Sequence, residues 1–214
     1  MGHAFEADFN RKGQSIFSGR IGEKVCREDI SIVDDGTLTG NRGAVNFDDE
    51  GVPGQKTFMV RDGVLESYLH DRISAAHFGV SPTGNGRRDS YKRKAYSRMT
   101  NTFFSPGQDK VEDMIRSVKH GYYLCDTDNG MEDPKNWQIQ CTAAYGLEIR
   151  DGEFTGKIVA PVVISGFVLD LLNSISMVSD EFKVIGSGMC GKGHKEWVYV
   201  SDGGPYLKAR AKLG

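Results

Sequence analysis

An imidazole stands beside two carboxylates near the start of the chain, where His3 is followed by Glu6 and Asp8. Near the other end, Cys190 lies in Gly186-Ser187-Gly188-Met189-Cys190-Gly191-Lys192-Gly193. Glycine on both sides lets that backbone turn sharply and leaves the sulfur open to approach. Taken alone, each group has a plainer reading. A histidine this close to a terminus is usually disordered, and an isolated cysteine is usually a buried small apolar residue. His194, four residues after Cys190, reads as a surface residue. Asp48-Asp49-Glu50 precedes Gly51-Val52-Pro53-Gly54. The spacing is not that of an EF-hand loop, so the cluster predicts a turn. The stretch from Thr83 to Arg98 carries Arg87, Arg88, Lys92, Arg93, Lys94 and Arg98 with Tyr91 and Tyr96 between them. Such a pattern can hold nucleic acid by charge and stacking, and Gly84-Asn85-Gly86 can cradle a phosphate. No G-x-x-x-x-G-K-[ST] is present, and the stretch is read as a solvated basic loop rather than a nucleic-acid contact.

Hairpins and short helices must position these groups. Asp-Gly pairs at 35–36, 62–63 and 151–152 are hairpin signals, because both positions tolerate positive φ. Phe58–Val60 before Val64-Leu65, and Leu147–Ile149 before Phe154 and Ile158, supply the flanking strands. Helical spacing recurs three times. Leu69, Ile73 and Ala76 share a face, with Gly79 as a stop; Val111, Met114, Ile115 and Val118 follow; Val168, Leu171, Leu172 and Ile175 repeat the pattern after Pro161. His70, His77 and His120 are expected on helix surfaces or partly buried. The predicted class is α+β, mainly antiparallel hairpins with about three helices, in one domain over 1–214.

Composition narrows the function classes. The 214 residues are 38% hydrophobic with a mean hydropathy of −0.42, the balance of a domain able to bury a core. A net charge of −2 gives no global attraction to nucleic acid or membrane. The apolar run from Ile158 to Ile164 is too short to span a bilayer, and Met1 to Arg20 is too polar for a signal peptide. The expected location is the cytoplasm. Of the four cysteines none forms C-x-x-C, and Cys26, Cys125 and Cys141 are expected reduced and buried.

Several segments, in order, resemble the C-terminal part of the TldD/PmbA family of zinc metallopeptidases. They are Gly2 to Gly13, Val33-Asp34-Asp35-Gly36-Thr37, Asp48 to Gln55, Pro82 to Arg88, Arg98-Met99-Thr100-Asn101-Thr102, Ile175 to Val178 and Cys190-Gly191-Lys192. Each is weak alone, but their ordered occurrence across nearly the whole chain is specific. The family motif is H-E-x-x-x-H, and the resemblance implies zinc held by both histidines and a distant cysteine. His3 matches the second histidine and Cys190 the cysteine. Met1 falls on the fourth position of the motif, so the first histidine and the general-base glutamate precede Met1, and this chain carries no catalytic residue of its own.

The resemblance implies a zinc site with three protein ligands and a position for water, activated for peptide hydrolysis. With two ligands the isolated chain is expected to bind zinc weakly and to be inactive. Five-residue spacing puts the motif histidines about 140° apart on an ideal helix, so the family is expected to use a helix irregularity or a helix end. Glu6 and Asp8 are either a solvated acidic pair or partners that orient a metal-bound imidazole. Asn85 and Arg87 are candidates for shaping a peptide cleft or an interface. The implied partners are unfolded peptides and a related TldD/PmbA subunit, in a homodimer or heterodimer. The rival readings are a non-catalytic interaction subunit, against which the filled His3 and Cys190 positions argue, and a nucleic-acid-binding module.

Overall fold

The computed structural model describes residues 2–133, 136–186, 188–193 and 196–214. Contacts divide the chain into two compact units, Met1–Ser105 with Phe182–Gly204, and Pro106–Glu181 with Pro205–Gly214. Composition gives no sign of this division, because there is no linker and glycine is spread evenly.

The first unit opens with a 3-10 turn, Gly2–Phe5, and helix α1 (Ala7–Arg11). Strands β1 (Ile32–Asp35), β2 (Lys56–Arg61) and β3 (Val64–Leu65) follow, then helix α2 (Arg72–Phe78) and strands β4 (Gly86–Arg87), β5 (Tyr96–Ser97) and β6 (Asn101–Phe104). In the second unit helix α3 (Val111–Arg116) leads into the long strands β7 (His120–Glu132) and β8 (Gln138–Arg150), then β9 (Glu153–Val159), β10 (Val162–Phe167) and helix α4 (Val168–Ser174). Strand β11 (Met177–Ile185) brings the chain back to the first unit. There β12 (Met189–Lys192) and β13 (Glu196–Tyr199) form a hairpin, before β14 (Ser201–Lys208) and β15 (Lys212–Leu213).

The class is therefore α+β with mostly antiparallel strands. One six-stranded sheet runs β11-β14-β6-β1-β2-β3, and a five-stranded sheet runs β15-β10-β8-β7 with β9 also on β8. Strand β14 pairs with β6 in parallel, Ser201 opposite Asn101, whereas β1 is antiparallel to both β2 and β6. All four residues of β1 are buried. Its apolar half, Ile32 and Val33, packs in the core with Met59, Val60 and Leu65. Phe5 stacks on Phe17 with centroids 4.7 Å apart, which fixes the N-terminal turn to the same core.

Two expected hairpins form, with both turn residues at positive φ: Asp62 and Gly63 at 48° and 79°, Asp151 and Gly152 at 47° and 84°. The third Asp-Gly leads into a turn at Gly36-Thr37 but closes no tight hairpin, because residues 36–55 separate β1 from β2. Asp35 instead accepts hydrogen bonds from the Thr37 N–H and hydroxyl. Each of the three helical patterns contains a helix, but the first is displaced. Leu69 lies before α2 and its N–H donates to the Phe5 carbonyl. Asp71 caps α2 by accepting from the Ser74 N–H at 2.7 Å. The buried face is Ser74 and Ala75, while Ile73 is exposed, so a single apolar repeat mis-phased the helix. Gly79 ends it at φ 69°. Helix α1 has five residues, too few to show a period. His120 begins strand β7 rather than lying on a helix.

Cys26 is buried, but Cys125 and Cys141 are only half-buried, on β7 and β8 of the five-stranded sheet. Asp48 organises a turn as expected. Its Oδ1 accepts from the N–H groups of Glu50 and Val52, and Oδ2 from Gly86 N–H. Among the described residues no helix is long and apolar enough to cross a membrane. His194 lies outside the described residues.

Candidate metal centre

Two segments of the first unit build the site. Ala4, Phe5 and Ala7 are buried, so the N-terminal turn is anchored just after His3 and on both sides of Glu6. Between the 3-10 turn and α1 the backbone is extended at Glu6, with ψ 123°, and Glu6 pairs with Leu69 in an isolated parallel bridge. His3 therefore sits in the 3-10 turn, ahead of the start of α1. Short turns leave carbonyls without helical partners. Here Asn10 Nδ2 donates to the carbonyls of Ala4 and Glu6, and the Ser15 hydroxyl donates to Ala4.

The second segment is the β12–β13 hairpin, with Cys190 opposite Val198 and Lys192 opposite Glu196. Side chains alternate along a strand, so Cys190 and Lys192 share one face. Gly191 is on the other. A Cβ there would meet the Trp197 ring at 2.8 Å, so only glycine lets the indole lie across the strand.

The turn and the hairpin meet at His3 and Cys190. His3 Nε2 lies 3.2 Å from Cys190 Sγ, and Nδ1 lies 2.8 Å from Glu6 Oε2. Glu6 is fully buried and is met by two cations. Arg98 Nε stands 3.2 Å from Oε1 and Lys192 Nζ 2.8 Å from Oε2. Lys192 also donates to Asp8 and to the Ser97 carbonyl, and it lies over the Phe9 ring at 4.5 Å. Arg98 donates from Nη2 to the Cys190 carbonyl at 2.8 Å and from Nη1 to the Glu196 carbonyl at 2.7 Å.

The electrostatics follow from these contacts. Burial opposes a charge on His3, but the Glu6 carboxylate and the hydrogen bond to Cys190 outweigh it and raise the imidazole pKa to about 10. Burial likewise opposes the Glu6 carboxylate, and His3, Lys192 and Arg98 outweigh it, holding Glu6 down at about 2. A cation taken up at Nε2 would have to displace the imidazole proton.

The donors suit zinc. Bonds of roughly 2.0 Å to nitrogen and 2.3 Å to sulfur at a tetrahedral angle place the two ligand atoms roughly 3.5 Å apart. The 3.2 Å between Nε2 and Sγ is a small adjustment from that. A carboxylate on the remote imidazole nitrogen is the usual support of a zinc-bound histidine. Among the described residues no group of three or more His, Cys, Asp or Glu is placed to hold a metal, and His3 and Cys190 stand there as a pair of candidate ligands.

Other candidate residues have interior tasks. Asn85 Nδ2 donates to buried Asp34 and to the Arg98 carbonyl. Arg87 donates to the carbonyls of Met99 and Tyr199. Asp34 also accepts from Thr100 N–H and from the hydroxyls of Thr100 and Thr102, although burial raises its pKa. Arg87 and Arg98 are thus buried, and the stretch from Thr83 to Arg98 is not wholly a solvated basic loop. The sequence reading missed Arg98 and Lys192 as parts of the site. The one available signal was strand alternation, which puts Lys192 on the face of Cys190.

The chain belongs to the PmbA/TldA metallopeptidase family, matching the model of its C-terminal domain over residues 1–211. It is 40% identical over 212 residues to the metalloprotease TldD homolog of Buchnera aphidicola from Acyrthosiphon pisum, covering 97% of this chain and 43% of that protein. It is 32% identical over 213 residues to the zinc metalloprotease TldD homolog of Saccharolobus solfataricus, covering 98% and 46%. The crystal structure of TldE from Thermococcus kodakarensis matches with a TM-score of 0.79 at 26% identity, covering 100% of this chain and 46% of that one. The chain thus spans less than half the length of these relatives.

Proposed function

We propose that this chain is the C-terminal, metal-holding part of a zinc endopeptidase that hydrolyses unfolded peptides, with His3 and Cys190 as two of its ligands. The meeting of His3 Nε2 and Cys190 Sγ at 3.2 Å, from residues 187 apart in sequence, carries the proposal. Glu6 at Nδ1 supports it. When bound, zinc supplies a Lewis acid and a water acidic enough to serve as hydroxide near neutral pH. His3 presents the Nε2 lone pair once its proton is displaced, and the Nδ1 proton stays on the Glu6 side. Cys190 presents its sulfur from a strand held by Arg98.

The third ligand and the general base belong to an H-E-x-x-x-H segment outside this chain, so the chain by itself holds zinc weakly and does not cleave. An extended peptide can dock as an added strand through main-chain hydrogen bonds, which needs little side-chain selectivity. Likeness to TldE supports assembly with a related subunit, as homodimer or heterodimer, and the proposed place of action is the cytoplasm. The test compares this chain with a form extended upstream through the motif, measuring zinc stoichiometry and casein hydrolysis. One zinc and cleavage in the extended form, with neither here, is the expected result. An extended form that takes up no zinc returns the chain to the role of an interaction subunit.

A further inference from the structure

The group beneath the two candidate ligands is unusual in its burial. Glu6 is 0% exposed and Arg98 1%. Charged side chains are almost never this buried unless paired, and replacing such a pair by apolar residues of similar volume is often neutral or stabilising. Stability alone is therefore a weak reason for this arrangement. Its geometry suggests another. Glu6 lies three residues after His3 and meets Nδ1 of its ring. Lys192 lies two residues after Cys190, on the same strand face, and reaches Glu6 Oε2. Arg98, from a third segment, touches Glu6 with Nε and the Cys190 carbonyl with Nη2. Each ligand-bearing segment is thus tied through Glu6 to the other, once by Lys192 and once by Arg98.

We propose that Glu6 is the positioning residue of the metal centre, fixing the His3 ring with Nε2 toward Cys190, and that Arg98 and Lys192 hold the Cys190 strand in register with it. The inference rests on the reading of His3 and Cys190 as ligands. Asp8 has a different part. It meets Lys192 and not His3, so it balances the second cation. Arg98 and Lys192 face Glu6 and Asp8, two cations against two carboxylates. The cluster is neutral while both acids are ionised, with the His3 ring left as the member whose proton a metal replaces.

The charge balance supplies the test. Glu6→Gln leaves one buried cation in excess and is expected to weaken folding. Glu6→Gln with Lys192→Met restores neutrality without restoring a carboxylate at Nδ1. The probe is Cd²⁺ alone, titrated into the upstream-extended form and followed by the thiolate-to-metal charge-transfer band. Cys190→Ser is expected to abolish the band. A band that survives Cys190→Ser removes the ligand reading, and this inference with it. With the band assigned to Cys190, the doubly substituted protein is expected to keep the band, but to bind Cd²⁺ 10- to 100-fold more weakly than Lys192→Met alone, the usual loss when such a support is removed. Glu6→Asp, which keeps a shorter carboxylate, is expected to recover part of that affinity. A Cd²⁺ affinity in the doubly substituted protein equal to that of Lys192→Met alone would overturn the proposal and leave Glu6 a charge-balancing residue only.

Discussion

At the scale of single residues, the site is a small set of charges whose partners are far apart in sequence. Arg98 joins Glu6 to the carbonyls of Cys190 and Glu196. Removing its guanidinium deprives the buried Glu6 of one of its cations and leaves those carbonyls without their donor. Arg98→Met is expected to lower the free energy of unfolding by about 3–5 kcal/mol. Urea denaturation with unchanged slope reads this as a shift in midpoint. A loss below about 1 kcal/mol, the range of an exposed pair, would contradict the account. Little of this was legible beforehand. A lone histidine and a lone cysteine carry no pairing information, and only the family resemblance placed them together. A run of arginines and lysines reads as surface because cations are usually solvated, and nothing local in Arg98 signals that it faces inward.

At the scale of elements, the hairpins were the most legible feature, because Asp-Gly encodes a backbone conformation directly. Gly63 has φ 79°, and a Cβ there would stand 2.7 Å from the carbonyls of Cys26 and Arg27. Gly63→Ala is expected to destabilise the first unit by about 2 kcal/mol, measured as a fall in thermal midpoint. Helix α2 was legible in existence but not in phase, since its start is set by the Asp71 cap and not by the apolar repeat. Just before it, His70 is buried against Tyr68 and Phe78, with ring centroids 6.1 and 5.6 Å away. Burial lowers its pKa to about 4. Between about pH 4 and the ordinary value near 6.5, the unfolded chain binds a proton at His70 that the folded chain does not. Stability therefore rises with pH across that window, is fully present above about 6.5, and is lost as pH falls toward 4. The thermal midpoint is expected to drop by roughly 5 °C across it, and His70→Gln is expected to flatten that slope.

At the scale of the whole molecule, the α+β class follows from hairpins outnumbering crossovers, but the two units do not. The chain passes from the second unit to the first along β11 and back along β14, a long-range connection with no local signature. The parallel β14–β6 pair joins segments about 100 residues apart and is equally silent in sequence. With Arg87 and Arg98 turned inward and a net charge of −2, the stretch from Thr83 to Arg98 exposes fewer cations than its sequence suggests. No mobility shift with single- or double-stranded DNA or RNA is expected, even at low salt. A salt-sensitive shift would revive the nucleic-acid reading.

The most direct test of the central claim is X-ray absorption at the zinc edge of the upstream-extended form, with and without Cys190→Ser. One sulfur at about 2.3 Å together with nitrogen or oxygen neighbours at about 2.0 Å is expected, with loss of the sulfur in the Cys190→Ser protein. A zinc shell without sulfur, or one unchanged by Cys190→Ser, would contradict that claim.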